Sequence, residues 1–199
     1  MKSATGGRLA ADIEHLVKSL SLPQTVARPA LVAVSGLPGT GKSYFSSRLA
    51  DRLPFVVLES DFLRKLLFSP PSYSAEESAH LFKVIHQLIR RLLIRGFSTI
   101  LDATNLSERG REYLYNIAEQ SGATLILVEV KAPPELVHSR LSERLTKERF
   151  LSHSDADWGV YQRMVPTAEE IHRHHYSVDS SQDITPVLNK IVKEIERYS

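Results

Sequence analysis

The chain has no cysteine. Disulfides are therefore excluded, and so is any metal site built on thiolate ligands. The lack of thiols fits a reducing compartment, and the cytoplasm is the expected location. Charge of one sign is also scarce: 25 Lys and Arg stand against 23 Asp and Glu, for a formal net charge of +2. Such a balance neither requires nor excludes a nucleic-acid partner. No apolar run approaches the ~20 residues of a membrane-spanning helix. The first twenty residues lack the apolar core of a signal peptide, so no membrane partner is expected. There is no internal repeat and no low-complexity tract. What remains is an ordinary globular composition, 42% hydrophobic and 24% charged over 199 residues, enough for one α/β unit with a sizeable core.

Residues 1–7 read as a loose tail, and Leu9, Ile13, Leu16, Val17 and Leu20 fall at helical spacing over residues 8–20. "SLPQTVARP" links this helix to the first strand. Residues 1–29 thus read as an N-terminal helix and linker, and 30–199 as the main domain. From there apolar runs alternate with amphipathic segments. Strands are expected at 30–35, 55–58, 97–101, 123–130 and 176–178, and helices at 43–53, 61–68, 75–95, 108–121, 134–150 and 185–198. Strands alternating with helices point to an α/β fold: a parallel sheet covered by helices on both faces, with ligands at the carboxyl ends of the strands.

The first strand runs into Gly36-Leu37-Pro38-Gly39-Thr40-Gly41-Lys42-Ser43, and then Tyr44. Gly, four residues, then Gly-Lys-Ser between a strand and a helix is the P-loop pattern. The glycines let the backbone turn several N–H groups inward, and the helix N-terminus adds more, which makes a nest for an anion. Residues Gly36 to Tyr44 are the expected ATP-binding segment. Lys42 would reach the terminal phosphates, and the Ser43 hydroxyl would take one coordination position of Mg2+.

The other strand ends carry further candidates. Asp61 and Arg64 begin a helix three residues apart. Asp61 can accept a proton from an attacking hydroxyl and Arg64 can hold the acceptor or the transferring phosphate; the plain alternative is a helix cap beside a solvated arginine. Asp102 ends the third strand, where a second carboxylate near magnesium belongs; it is otherwise a turn aspartate capping the next helix. Arg140 and Arg144 share a helical face, with Arg149 beyond. They read either as a mobile lid closing on the triphosphate or as a solvated face paired with Glu143 and Glu148. Arg90, Arg91 and Arg95 form a second basic cluster. His172, His174 and His175 lack a companion set of ligands, and Trp158 and Tyr161 read as packing under a loop.

Together "GLPGTGKS", "ESDFLRKLLF", "GFSTILDATNLSERGR", "APPELVHSRLSER", "SDADWGVYQRM" and "YSVDSS" resemble the small P-loop kinases related to the polynucleotide 5′-kinases, a group that borders the zeta-toxin and chloramphenicol phosphotransferase kinases. The resemblance covers roughly Leu31 to Ser181. It implies a nucleoside-monophosphate-kinase-like P-loop NTPase fold with a helical lid at about 134–160. It also implies Asp61 as catalytic base, Arg64 against the acceptor, Asp102 as the site acid, and Arg140 and Arg144 as lid arginines. Val178-Asp179 resembles the segment near the adenine. The expected activity is transfer of the γ-phosphate of Mg–ATP to a hydroxyl, on a polynucleotide 5′ end or a small molecule. Residues 66–82, with "SPPSYSAEES" among them, are the expected acceptor wall. The alternative is a P-loop ATPase or nucleotide switch that phosphorylates nothing. Against it, Asn189-Lys190 is followed by Ile191-Val192 and not by a guanine-reading aspartate, and Ala103, not glutamate, succeeds Asp102.

Overall fold

A computed structural model describes residues 2–147 and 154–198. Its centre is strand β1 (Ala30–Ser35), with all six residues buried. A strand covered on both faces has no polar side to present, which is why this segment is nearly continuously apolar. Four further strands, β2 (Val56–Glu59), β3 (Thr99–Asp102), β4 (Thr124–Lys131) and β5 (Tyr176–Asp179), complete a parallel sheet in the order β2-β3-β1-β4-β5. Side chains alternate between the two faces of a strand. Leu31 and Ala33 therefore enter one core, and Ala30, Val32 and Val34 the other.

The first core is closed by α1 (Lys2–Ser19), α3 (Ser60–Leu67), α4 (Ala75–Ile94) and α5 (Glu108–Ser121). The second is closed by α2 (Lys42–Ala50) and α8 (Thr185–Tyr198). Over the carboxyl edge lie α6 (Pro134–Lys147) and α7 (Trp158–Met164), joined by Val137, Leu141 and Tyr161 with Leu37 and Trp158 packed against them. The Trp158 and Tyr161 rings stack at 4.7 Å, a packing role. Among the described residues no helix is long and apolar enough to cross a membrane.

Two expectations change. Helix α1 runs from Lys2, through what reads as a loose tail; Gly6-Gly7 signals a break because glycine disfavours helix by about 1 kcal/mol per residue, yet the backbone stays helical. Helix α7 and the 3-10 turn Val165–Thr167 form where no element is expected. Seven residues are too few to show a period, and the start signal is the Asp157 carboxylate, which accepts the Val160 N–H at 2.8 Å. The last three residues of the helix expected over 134–150, with Arg149, and the part of the expected lid at 148–153 lie outside the described residues.

The α3–α4 connection is held by a buried pair. Arg64 is 7% exposed and its Nη1 donates to Glu77 Oε1 at 2.5 Å. Glu77 Oε2 also accepts from Ser72 N–H at 2.6 Å and Ser72 Oγ at 2.7 Å, and Oε1 from Tyr73 N–H at 3.2 Å. Burial pushes the Glu77 carboxyl up, but these four donors outweigh it and bring it down to about 2. This glutamate turns the end of the α3–α4 loop onto the first turn of α4.

Two consequences can be measured. Leu16 is fully buried between α1 and the rest of the core, so Leu16→Ala should cost about 2–5 kcal/mol in denaturant unfolding, in one transition; an early separate transition for α1 would contradict its place in this core. The Glu77 carboxyl is depressed in the folded state, so its stabilising effect is full above its ordinary value near 4.5 and is lost as pH falls toward 2. The stability gap between the wild type and Glu77→Gln should therefore be widest at neutral pH and shrink progressively below pH ~4.5; a gap that is flat with pH would contradict the hydrogen-bonded carboxylate.

Candidate active site

Parallel pairing sets the site before any side chain is considered. In register, Val34 lies beside Asp102 and Asp102 beside Glu59. The last residues of β2 and β3 thus end level with the start of the P-loop. The passage from β1 into that loop is tight. A Cβ on Gly36 would sit 2.3 Å from the Val130 carbonyl oxygen, at a φ of +146°, so only glycine fits. The Gly36 N–H donates to the Thr104 carbonyl at 3.1 Å, and Ser35 Oγ donates to the same oxygen at 3.0 Å. Asn105, at φ +47°, donates from Nδ2 to the Val34 carbonyl at 2.8 Å. Buried Arg111 holds the Asn105 carbonyl at 2.8 Å from Nη1 and the Glu170 carbonyl at 2.7 Å from Nη2. The Asp-Ala-Thr-Asn run is therefore a splice between β3 and β1 as well as a source of acid.

Within the loop, Thr40 Oγ1 donates to the Leu37 carbonyl at 2.8 Å and Lys42 Nζ to the same oxygen at 3.0 Å. Gly41, at φ +96°, caps α2 without a side chain. Burial pulls the Lys42 ammonium down; Asp102, Asp61 and Glu59 oppose this, and Arg144 adds to it. Asp102 is pushed up by burial and held back by Lys42 and by a hydrogen bond from the Ser43 hydroxyl. Glu59 is raised to about 7, by burial first and then by the Asp102 and Asp61 charges, against Arg144 and Lys42. Three carboxylates and one ammonium thus share one low-dielectric hollow. Ser43 and Asp102 offer hard oxygen donors of the kind magnesium takes.

A cleft of about 1060 Å3 runs over this hollow. The sheet order gives it two ends. Beside β5 it is lined by Arg48, Arg52, Gln182, Asp183 and Leu188, and beyond β2 by Arg64, Tyr73, Phe82, Asp155, Val160 and Met164. Pro38, Gly39, Gly41, Lys42, Ser43, Tyr44, Asp61, Asp102, Arg140 and Arg144 all border it, so nearly every expected residue meets in one place. Leu37 packs under α6 and α7, and Tyr44, 60% exposed, stands at the rim.

Two arginines are placed differently from the sequence reading. Arg64 borders the cleft but is committed to Glu77, with Nη2 3.3 Å from Ser78 Oγ and its guanidinium 4.9 Å over the Tyr73 ring. Arg140 lies on the loop itself, its Nη1 2.8 Å from Ser180 Oγ and 3.4 Å from the Gly39 carbonyl. Tyr73 Oη donates to Asp155 Oδ2 at 2.6 Å and Lys65 Nζ to Oδ1 at 2.9 Å, which ties the α3–α4 connection to the segment before α7. Burial, then this bond, push the Tyr73 hydroxyl up.

Glu59 and Ser180 border the cleft and Glu77 holds Arg64 beside it; the sequence reading singles out none of the three. Glu59 is open to the reasoning used for Asp102, as the acid that ends a strand. The basic cluster does not serve the site. Arg90, Arg91 and Arg95 close the far end of α4, with Arg90 Nη2 on Gln120 and Arg95 over Phe97. His175 meets the Arg173 carbonyl at 3.0 Å, and His174 packs edge-on to Tyr176. Among the described residues no group of three or more His, Asp or Glu side chains converges as a metal site.

Comparison with known proteins places this geometry. A family profile described as an AAA domain matches residues 31–171. The chain is 29% identical over 119 residues to the L-seryl-tRNA(Sec) kinase of Methanococcus maripaludis, spanning 57% of this chain and 46% of that protein. It thus covers less than half of that relative's length. It is 28% identical over 135 residues to a protein of Aeropyrum pernix named as a probable adenylyl-sulfate kinase, spanning 65% of this chain and 74% of the other. The APS kinase of Mycobacterium tuberculosis, solved with AMPPNP and APS, shares the fold with a TM-score of 0.64 at 16% identity, over 85% of this chain and 98% of that one. The five-stranded parallel sheet with helices on both faces is the α/β P-loop NTPase fold. The profile match takes in the P-loop, Asp61, Asp102 and both α6 arginines, and the chain belongs to this AAA-domain family of P-loop proteins.

Proposed function

We propose that the protein is an ATP-dependent kinase that transfers the γ-phosphate of Mg–ATP to a hydroxyl of a small-molecule acceptor. One observation carries the reading: Asp61, in the first turn of α3, borders the same cleft as the P-loop residues Lys42 and Ser43. The relatives matched by sequence are named as kinases, which favours transfer over the ATPase or switch alternative.

The P-loop N–H groups and Lys42 bind the phosphates. Asp61 takes the proton of the acceptor hydroxyl as its oxygen bonds to the γ-phosphorus and the bond to the β-phosphate oxygen breaks. Arg144, whose charge acts on Lys42 and Glu59, stabilises the negative charge spread over the transferring group. Ser43 and Asp102 would hold magnesium, whose charge neutralises phosphate oxygens. Arg64, fixed by Glu77, shapes the acceptor wall with Tyr73.

A small acceptor fits better than a polynucleotide end. The acceptor side is bridged by Tyr73, Lys65 and Asp155, and the Arg90–Arg95 cluster lies at the opposite end of α4. The relatives act, by name, on adenylyl sulfate and on a seryl group carried by tRNA, and neither name is that of a polynucleotide 5′-kinase or a zeta toxin.

The test is γ-labelled ATP against a panel of adenylyl sulfate, sugars, amino sugars, nucleosides, hydroxylated antibiotics and 5′-hydroxyl oligonucleotides. Label should move to one small-molecule class. Asp61→Asn should lower that rate by about 10²–10⁴ with ATP affinity within about twofold. Arg144→Lys, which keeps the charge and loses the fork, should lower it by about tenfold or more. Slow phosphate release that ignores every acceptor and Asp61→Asn alike would contradict the kinase reading.

A further inference from the structure

We propose that Ser180 is a positioning residue for the phosphate nest, and that Arg140 works in the same clamp instead of reaching over a triphosphate as a lid cation. The inference rests on the nucleotide-binding part of the function proposed above.

Ser180 comes directly after β5. Its Oγ donates to the Thr40 carbonyl at 2.6 Å and accepts from Arg140 Nη1 at 2.8 Å. Arg140 Nη2 donates to the Ser180 carbonyl at 3.1 Å, and Nη1 also lies 3.4 Å from the Gly39 carbonyl. The Ser180 N–H donates to the Lys131 carbonyl at 2.9 Å, which anchors the clamp on the last residue of β4. Two successive P-loop carbonyls are therefore held from outside the loop, Thr40 by Ser180, anchored on β4, and Gly39 by Arg140 of α6.

A trans peptide is planar, and its C=O and N–H point in opposite directions. Holding the Thr40 carbonyl outward on Ser180 turns the Gly41 N–H inward, toward the hollow where a phosphate binds. The clamp leaves no space to spare. A Cβ on Gly41 would sit 3.2 Å from Ser180 Cβ and Oγ and 3.4 Å from Arg140 Nη1. Arg140 keeps its charge behind the nest, but its two terminal nitrogens are taken up by Ser180 and Gly39. The adjoining segment, through Gln182, Asp183 and Ile184, lines the β5 end of the same cleft. Ser180 thus joins that end of the cleft to the phosphate loop by a direct hydrogen bond.

The test is equilibrium titration with Mg–ADP, which needs no acceptor. Ser180→Ala should bind about 5- to 10-fold more weakly, the effect of one hydrogen bond, and Ser180→Thr, which keeps the hydroxyl, should recover most of that loss. In turnover the change should appear in KM for ATP, with kcat within about twofold. A role confined to tethering the β5–α8 loop would lower the melting temperature and leave the Kd of the folded protein unchanged. Unchanged Mg–ADP affinity in folded Ser180→Ala therefore overturns the proposal. Should that variant fail to fold, Arg140→Lys should weaken Mg–ADP binding in the same way, and full affinity in it overturns the proposal equally. A wild-type protein that binds no Mg–ADP would instead defeat the nucleotide reading, and this inference with it.

Discussion

The buried ammonium of Lys42 is the constraint around which the site is organised. A charge taken out of water is costly unless partners compensate it. Here the compensation comes from Asp102, Asp61 and Glu59, each of which favours the charged lysine. None is close to Lys42 in sequence. They arrive because parallel β2 and β3 end level with each other, Glu59 beside Asp102, and because α3 starts at once after β2. The geometry is fixed further by Gly36, which passes the Val130 carbonyl with no room for a side chain, and by Asn105, which ties β3 back to β1. The result carries more acid than base at its floor. Burial first, and then the Asp102 and Asp61 charges, raise Glu59 to about 7, and a magnesium–nucleotide complex is the kind of ligand that such a floor and its rim of N–H groups suit.

Arg64, Arg140 and Arg144 border the cleft in different ways. Arg64 is bound to Glu77 and supports the wall that carries Tyr73. Arg140 is bound to the P-loop and Ser180. Arg144 borders the cleft, and its charge acts on Lys42 and Glu59. Arg64 and Arg140 set shape through these bonds, so the three are not interchangeable although each borders the same cleft.

Much of this was legible in the sequence, for physical reasons. The P-loop reads from its spacing because the backbone geometry demands those glycines. Helices α5 and α8 read to their final residues, since α5 carries its own stop in Gly122, which adopts the left-handed conformation. Asp102 reads because a strand that runs into an acid marks the carboxyl edge, and Asp61 because it opens the helix that follows such a strand. The rest needed distance. Arg64 finds Glu77 thirteen positions on and Arg140 finds Ser180 forty positions on; no local spacing reveals which partner closes on a guanidinium. Glu59 ends a strand as Asp102 does, but the neighbours that set its environment come from β3. Helix α7 is too short to show a period, and the glycine pair in α1 argues locally against the helix that forms.

The most direct test of this account is diffraction from crystals grown with Mg2+ and AMPPNP. The account predicts the γ-phosphate between Lys42 and Arg144 with Asp61 facing it, and Ser43 and Asp102 at the magnesium. A triphosphate bound away from residues Gly36 to Ser43, or an Asp61 carboxylate turned out of the cleft, would contradict it.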